Sequence, residues 1–108
     1  MNLRLSKPWL QLSAETIARV PGQLGVYQLA NCDGEVLYIG YAGGKSLFGL
    51  RSEIQRQLGA ADATSFRYEV NMQYLTRYKE LLMLHKADHA QLPQMNASEP
   101  PVRLGRLS

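Results

Sequence analysis

The most informative part of this chain comprises two short stretches, Gly25-Val26-Tyr27-Gln28-Leu29-Ala30 and Glu35-Val36-Leu37-Tyr38-Ile39-Gly40. Both contain the β-branched, aromatic and other apolar residues that are typical of strands. Between them lies Asn31-Cys32-Asp33-Gly34, and an Asp-Gly pair adopts the positive φ of a tight turn at low cost. We therefore predict a β-hairpin over residues 25–40.

The sequence on either side of this hairpin predicts two short helices. Ser13 can cap a helix that ends at Pro21-Gly22. After the hairpin comes a glycine-rich loop, and then four apolar residues recur at helical spacing. This stripe predicts a helix near residues 47–58 and consists of Leu47, Leu50, Ile54 and Leu58.

Residues 65–70 alternate between apolar and charged side chains, which predicts a half-buried third strand. Asn71 can cap a following helix over residues 73–89. Together these elements predict a small α+β domain with a three-stranded, mainly antiparallel sheet flanked by helices. We assign residues 1–97 to this single domain and expect the tail, residues 98–108, to be loosely ordered.

Composition narrows the function classes without choosing among them. The chain has 108 residues, a net charge of +3 and one cysteine, so it has room for one core and cannot form an internal disulfide. It contains neither a membrane-spanning apolar run nor a signal-peptide pattern, which predicts a cytoplasmic protein without a membrane partner. The modest positive charge permits a polyanionic partner but does not require one.

The loop Gly40-Tyr41-Ala42-Gly43-Gly44-Lys45-Ser46 comes close to a phosphate-binding Walker A motif. The first glycine of that motif would fall at position 39, which is Ile39, so the loop is one residue too short for a triphosphate. We therefore reject a nucleotide triphosphatase. Glycine-rich backbone beside a lysine remains a plausible place for a single phosphate group.

Tyr27 and Tyr38 lie on the two strands of the predicted hairpin and can approach each other on one face. A phenol can act as a general base where a cation stabilises its ionised form. For either tyrosine alone, packing within a strand is the simpler interpretation.

With its two motifs Gly25-Val26-Tyr27 and Tyr38-Ile39-Gly40, the chain resembles the GIY-YIG nuclease family. The resemblance covers about residues 20–97 and includes an arginine on the helix after the second motif, a glutamate on a later helix and an asparagine after a proline-containing turn. In this sequence those positions are Arg51, Glu80 and Asn96.

The resemblance implies a metal-dependent endonuclease that hydrolyses DNA phosphodiester bonds. Tyr27 or Tyr38 would help to activate water, and Glu80 would hold one Mg²⁺, with Mn²⁺ as a possible substitute. Arg51 would clamp the phosphate, and Asn96 would orient a tyrosine or close the site.

Two details depart from the family pattern. Arg51 lies about one helical turn further from the second motif than expected, and Arg56 is the other candidate on that helix. Tyr41 follows the second motif where several relatives carry lysine, and Lys45 is a candidate to replace that charge. We expect bound nucleic acid to follow a face that holds Lys45, Arg51 and Arg67.

Each of these residues also has a structural interpretation. Glu80 can pair with Arg77 on an exposed helix face, Arg51 can be solvated, and Asn96 can belong to a turn. His85 and His89 have the spacing of a metal pair but lack a third ligand, so a core or surface role is favoured for them.

Two further functions therefore stay open beside the endonuclease. One is a non-catalytic nucleic-acid-binding or partner-binding domain on the same scaffold, and the weaker one is a binder of a small phosphate ligand at the Gly43-Gly44-Lys45 loop. A nuclease without an attached DNA-recognition domain would find specificity as a homodimer or through a partner protein.

Overall fold

A computed structural model describes residues 4–60 and 62–97 of the chain. The expected loose tail, residues 98–108, lies outside the described residues. In chain order the elements are β1 (Leu10–Gln11), α1 (Ala14–Ile17), β2 (Gly25–Ala30), β3 (Val36–Ala42), α2 (Gly49–Gln55), β4 (Ser65–Val70), α3 (Tyr74–His89) and α4 (Gln94–Ala97).

The described strands form one sheet in the order β1-β4-β2-β3, and each neighbouring pair is antiparallel. The α+β class and the antiparallel sheet are confirmed, but the expected number of strands is too small. The missed strand, β1, pairs Leu10 with Phe66 and Gln11 with Ser65. Two residues are too few to show the alternation by which a strand is recognised in a sequence.

The predicted hairpin is formed by β2 and β3. Its turn places Gly34 at a φ of 84°, and Asn31 Oδ1 accepts hydrogen bonds from the amides of Asp33 and Glu35. The register pairs Tyr27 with Gly40 and Leu29 with Tyr38. Because β2 lies between β3 and β4, all six of its residues are buried, whereas β3 is an edge strand.

The first two predicted helices are shorter in the structure, whereas α3 agrees with its predicted range to within one residue. Ser13 caps α1, its Oγ accepting a hydrogen bond from the Thr16 amide. Leu50 and Ile54 of α2 are fully buried, but Leu47 and Leu58 lie outside the helix and are 82% and 40% exposed. The predicted apolar stripe therefore included two residues, Leu47 and Leu58, that are not part of the buried helix face.

Before α3, Asn71 forms a turn in place of the expected helix cap. Its Oδ1 accepts a hydrogen bond from the amide of Gln73, which is the N-cap residue and makes no side-chain cap of its own. None of the described helices has the length and apolar character needed to cross a membrane.

Alternation along the strands gives the sheet two covered faces. Tyr27 and Leu29 point to the face where Ile17 of α1 and Leu50 and Ile54 of α2 complete one core cluster. On the opposite face, Val26 and Ile39 pack with Tyr78 and Leu81 of α3. The face of the sheet to which a hairpin side chain points thus determines which helices it contacts.

Candidate active site

The structure brings the two motif tyrosines together. Their register places Tyr27 and Tyr38 on the same face of neighbouring strands, with ring centroids 6.0 Å apart and ring planes at 52°. Tyr27 is only 1% exposed, whereas Tyr38 is half-buried. Tyr38 is therefore the more accessible of the two to a bound molecule.

Gly40 makes room for the Tyr27 ring. A Cβ atom at this position would lie 2.5 Å from Tyr27 Cζ and 2.6 Å from its hydroxyl oxygen. Because such distances are far inside van der Waals contact, the glycine of the second motif is needed for packing within the hairpin.

Both tyrosines line a groove of about 930 Å³ beside the edge strand β3. We call it the β3 groove. The other residues that line it come from β3 and the loop after it, from α2 and the turn after it, and from α3; they are Tyr41, Gly43, Gly44, Lys45, Ser46, Glu53, Arg56, Gln57, Tyr74, Leu75 and Tyr78.

Aromatic side chains from the opposite face of the sheet form one wall of the β3 groove. Tyr41 stacks on Tyr74 with centroids 5.8 Å apart and meets Tyr78 at 4.8 Å. The Gly44 amide approaches the Tyr74 hydroxyl oxygen at 3.4 Å, and a Cβ on Gly43 would lie 3.1 Å from the same ring. The glycine loop therefore packs directly against α3.

Polar groups from α2 and the turn after it form the other wall. Gln57 Nε2 donates a 3.1 Å hydrogen bond to the Tyr27 hydroxyl. Glu53 accepts a 2.9 Å hydrogen bond from Ser46 Oγ and forms a 3.3 Å ion pair with Arg56. Lys45 is exposed and has no ion-pair partner within residues 4–60 and 62–97.

Arg51 does not line the β3 groove. Its Nε donates a 2.8 Å hydrogen bond to the carbonyl of Val20, and it borders a separate cavity of about 150 Å³ beside α1. Arg56, which directly follows α2, lines the β3 groove instead.

Glu80 also lies apart from the tyrosines. It is on α3, which covers the face of the sheet opposite to Tyr27 and Tyr38, and it is not among the residues that line the β3 groove. Its Oε1 accepts a hydrogen bond from Arg77 Nη1, and Arg77 Nε donates to Glu69 of β4 at 2.9 Å. Glu80 thus belongs to an ion-pair network on the far face.

Burial and hydrogen bonding shift the pKa values of the charged groups in this network in opposite directions. Burial by itself would raise the pKa of the Glu69 carboxyl, but hydrogen bonds from Arg77 and Asn71 outweigh it and hold that pKa below its ordinary value. Burial likewise opposes the charge of Arg77, and its bonds to Glu69 and Glu80 raise the net pKa of the guanidinium. The network therefore holds its charges in place between β4 and α3.

Asn96 contacts the second motif through its backbone. The buried side chain accepts a 2.8 Å hydrogen bond from the Ile39 amide and donates a 2.9 Å bond to the Ile39 carbonyl. An amide side chain here satisfies backbone groups on the outer side of an edge strand, as a further strand would. Asn96 therefore holds the residue between Tyr38 and Gly40 in place.

Of the three cations expected on the nucleic-acid-binding face, Lys45, Arg51 and Arg67, only Lys45 lines the groove. The Arg67 guanidinium lies 4.1 Å from the centre of the Trp9 ring, and its Nε donates a 2.7 Å bond to Gln28. Burial lowers the pKa of Arg67. Arg67 therefore makes contacts within the fold. It lies on β4, which β2 separates from the edge strand β3.

The carboxylates of Glu80 and Glu53 differ in how well they are placed to bind a divalent cation beside the tyrosines. No group of three or more His, Cys, Asp or Glu side chains within the described residues could hold a metal. Glu80 does not fit the role that the resemblance implies, because it is not among the residues that line the groove of the two tyrosines. Glu53 supplies the one carboxylate among the described residues that line the β3 groove, and Mg²⁺ can be held by a single carboxylate with water and phosphate oxygens.

Sequence reasoning missed the contribution of α2 for a geometric reason. Glu53 and Gln57 lie one turn apart on one side of the buried stripe formed by Leu50 and Ile54, whereas Arg51 lies on the other side. The i, i+3, i+4 spacing of Glu53, Arg56 and Gln57 is a visible signal that these three share a face. The sequence does not show which side of the stripe meets the hairpin tyrosines.

Comparison with known proteins gives one family. Residues 1–88 match the model of a domain family of unknown function, DUF7508. Neither the curated proteins nor the solved structures include a significant match. Since the match covers most of the chain, this protein belongs to the DUF7508 family.

Proposed function

We propose that the β3 groove binds the phosphodiester backbone of DNA and hydrolyses it, so that the protein acts as an endonuclease. One observation carries this proposal: Tyr27 and Tyr38, 6.0 Å apart, line the same groove as Lys45 and Arg56. This places phenolic oxygens, which can exchange protons, near cations that attract phosphate. The resemblance to GIY-YIG nucleases in both tyrosine motifs supports the same reaction.

The cations bind and orient the substrate in this proposal. Lys45 attracts the phosphate from the exposed rim of the groove, and the Arg56 guanidinium donates hydrogen bonds to its oxygens. Arg51 is not given this role, because its Nε is bound to the Val20 carbonyl beside another cavity.

Tyr38 contacts the attacking water, and Tyr27 positions it from the buried side. In this step the Tyr38 oxygen, once it has lost its own proton to solvent, takes a proton from the water as the water oxygen forms its bond to phosphorus. The bond from phosphorus to the leaving sugar oxygen breaks, and solvent protonates that oxygen. Gln57 fixes the Tyr27 hydroxyl, and Asn96 fixes the backbone between Tyr38 and Gly40.

We also propose Mg²⁺, or Mn²⁺ in its place, as the cofactor. Glu53 rather than Glu80 would hold it, since Glu53 is the carboxylate that lines the groove. When bound, such an ion supplies positive charge that stabilises the phosphate during attack.

The test is nicking of supercoiled plasmid by the wild type and by Tyr38→Phe, with Mg²⁺, with Mn²⁺ and with a chelator. We expect Tyr38→Phe to lower the cleavage rate by at least about a hundredfold, since a general base contributes that much or more. Tyr68→Phe is the matched control, because Tyr68 lies on β4 and does not line the β3 groove. Equal loss in both variants would refute the assignment of Tyr38.

A second candidate function is nucleic-acid binding without cleavage. The observation that favours it is the separation of Arg51 and Glu80 from the tyrosines. Salt-sensitive DNA binding by a wild type that cleaves no duplex, branched or single-stranded substrate with either metal would select this candidate over the endonuclease.

A further inference from the structure

Two apolar side chains project into solvent beside the β3 groove. Leu47 is 82% exposed and Phe48 is 54% exposed, and they directly follow Ser46, which lines the groove. Phe48 also occupies the N-cap position of α2, where a polar residue would normally satisfy helix amides, and it makes no such bond. Neither the core nor helix capping explains these two residues.

The backbone under this pair is held firmly against the rest of the domain. Gly49 has a φ of 55°, and a Cβ there would lie 2.4 Å from the Gln23 carbonyl oxygen. The Leu50 amide donates a 2.8 Å hydrogen bond to that same oxygen. Leu47 and Phe48 are therefore presented on an anchored turn, which lowers the entropy that a partner would have to remove.

Two more exposed apolar residues come from the start of α3 and the turn before it. Met72 is 74% exposed, and Leu75, which lines the groove, is 40% exposed. The contact between the Tyr74 hydroxyl and the Gly44 amide brings this segment to the loop that carries Leu47. We call Leu47, Phe48, Met72 and Leu75 the apolar rim of the β3 groove.

The charge around the apolar rim is positive. Lys45 is exposed two residues before Leu47 and has no ion-pair partner among the described residues, whereas Glu53, the carboxylate of the groove, is already paired with Arg56. Apolar side chains next to phosphate-binding cations are the combination that proteins use when they insert a wedge between DNA bases. This charge favours DNA over a second copy of the chain, which would bring the same positive charge to the contact.

Building on the proposed function, we infer that the apolar rim inserts into an opened base step next to the phosphate held in the groove. The substrate class is then DNA with an opened base step, such as a one-nucleotide gap, rather than uniform duplex. Unstacking a paired step costs a few kcal/mol, and a step that is already open avoids that cost. The anchored turn makes the wedge rigid enough to discriminate between the two.

The experiment compares binding of the full chain to intact duplex and to the same duplex with a one-nucleotide gap, carrying 2-aminopurine beside the gap. We expect about tenfold tighter binding to the gapped DNA and a rise in 2-aminopurine fluorescence as the base unstacks. The variant with Leu47→Ser and Phe48→Ser together should bind both DNAs equally and lose the fluorescence rise. Its affinity for intact duplex should change less than twofold, because the phosphate contacts remain.

Met83→Ser is the matched control, since Met83 is 72% exposed on α3 and does not line the groove. Retention of the gap preference by the double variant, or no preference in the wild type, overturns the inference while leaving DNA binding intact. A change from dimer to monomer in the double variant, seen by sedimentation, overturns it by assigning the rim to self-association. Absence of binding to any DNA at low salt overturns the proposed function itself.

Discussion

Single residues in the second tyrosine motif have distinct physical tasks. Tyr38 is the accessible phenol, Ile39 is bound through its backbone by Asn96, and Gly40 leaves space for the Tyr27 ring. The sequence predicted the pairing of the two tyrosines, because strand alternation and a short turn determine it. The resemblance implied that Asn96 would orient a tyrosine or close the site, but local patterns could not predict its contact with Ile39, since that contact joins residues 57 positions apart.

Gly40→Ala should destabilise the fold. The added methyl group would lie 2.5 Å from a ring that is itself 1% exposed, so neither partner can move freely. Overpacking of this kind costs roughly 1–3 kcal/mol of unfolding free energy, measurable by urea denaturation. Gly44→Ala is the control, because a Cβ there meets nothing within 4 Å. Equal stability of the two variants would contradict the packing role of Gly40.

Asn96→Ala should also lower stability, because it leaves the Ile39 amide and carbonyl without their partner. A buried polar group without a hydrogen bond costs about 1–3 kcal/mol. The measurement is again the unfolding free energy in urea, with Gln94→Ala on the same short helix as an exposed control. An unchanged unfolding free energy in Asn96→Ala would show that α4 does not hold the edge strand.

At the scale of elements, the packing of α2 determines which arginine lines the β3 groove. Its apolar stripe was recognisable in the sequence, but an amphipathic pattern defines only the buried face and leaves both flanks equivalent. Arg51 and Arg56 lie on opposite flanks, and only packing against β2 and β3 shows that the flank with Arg56 meets the tyrosines. The family pattern pointed to Arg51 because it is the arginine nearer to the second motif.

This difference predicts unequal effects on DNA binding. Arg56→Gln should weaken affinity and reduce the dependence of log K on log salt by about one, as expected for one lost phosphate contact. Arg51→Gln should leave that slope unchanged, since Arg51 borders a separate cavity. Fluorescence anisotropy over a salt series measures both. A reduced slope for Arg51→Gln alone would return the phosphate contact to Arg51.

The ion-pair network between β4 and α3 predicts a pH effect on stability. The pKa of Glu69 is held below its ordinary value of about 4.5 by the bonds from Arg77 and Asn71, despite opposing burial. A depressed carboxyl pKa adds stability above the unfolded-state pKa, and this contribution is lost as the pH falls through the folded-state pKa.

The melting temperature of the wild type should therefore decrease as the pH falls below about 4.5, the ordinary pKa of this carboxyl. Glu69→Gln should remove part of that loss, because the amide does not titrate. The control is Glu15→Gln, which changes an exposed carboxylate on α1 that is outside the network. Identical pH profiles for wild type and Glu69→Gln would show that the pairing with Arg77 does not stabilise the fold.

At the scale of the whole molecule, the topology explains both what was predictable and what was not. Local patterns identified the hairpin from its strand-forming residues and Asp-Gly turn, β4 from its alternation, and α3 from the residues that follow Asn71. They could not show that α3 covers the face opposite to Tyr27 and Tyr38, because that depends on the order of the strands and on the path of the chain between them. The resemblance assigned the metal to Glu80, which does not line the β3 groove, whereas Glu53 does.

The central claim is that the active site is the β3 groove, with Glu53 as its carboxylate. Its most direct test is plasmid nicking with Mg²⁺ by Glu53→Gln and Glu80→Gln in parallel, with binding to the same DNA measured beside it. We expect Glu53→Gln to cleave at least about a hundredfold more slowly than wild type with undiminished binding, and Glu80→Gln to cleave at the wild-type rate. Loss of cleavage in Glu80→Gln, with normal nicking by Glu53→Gln, would contradict this account.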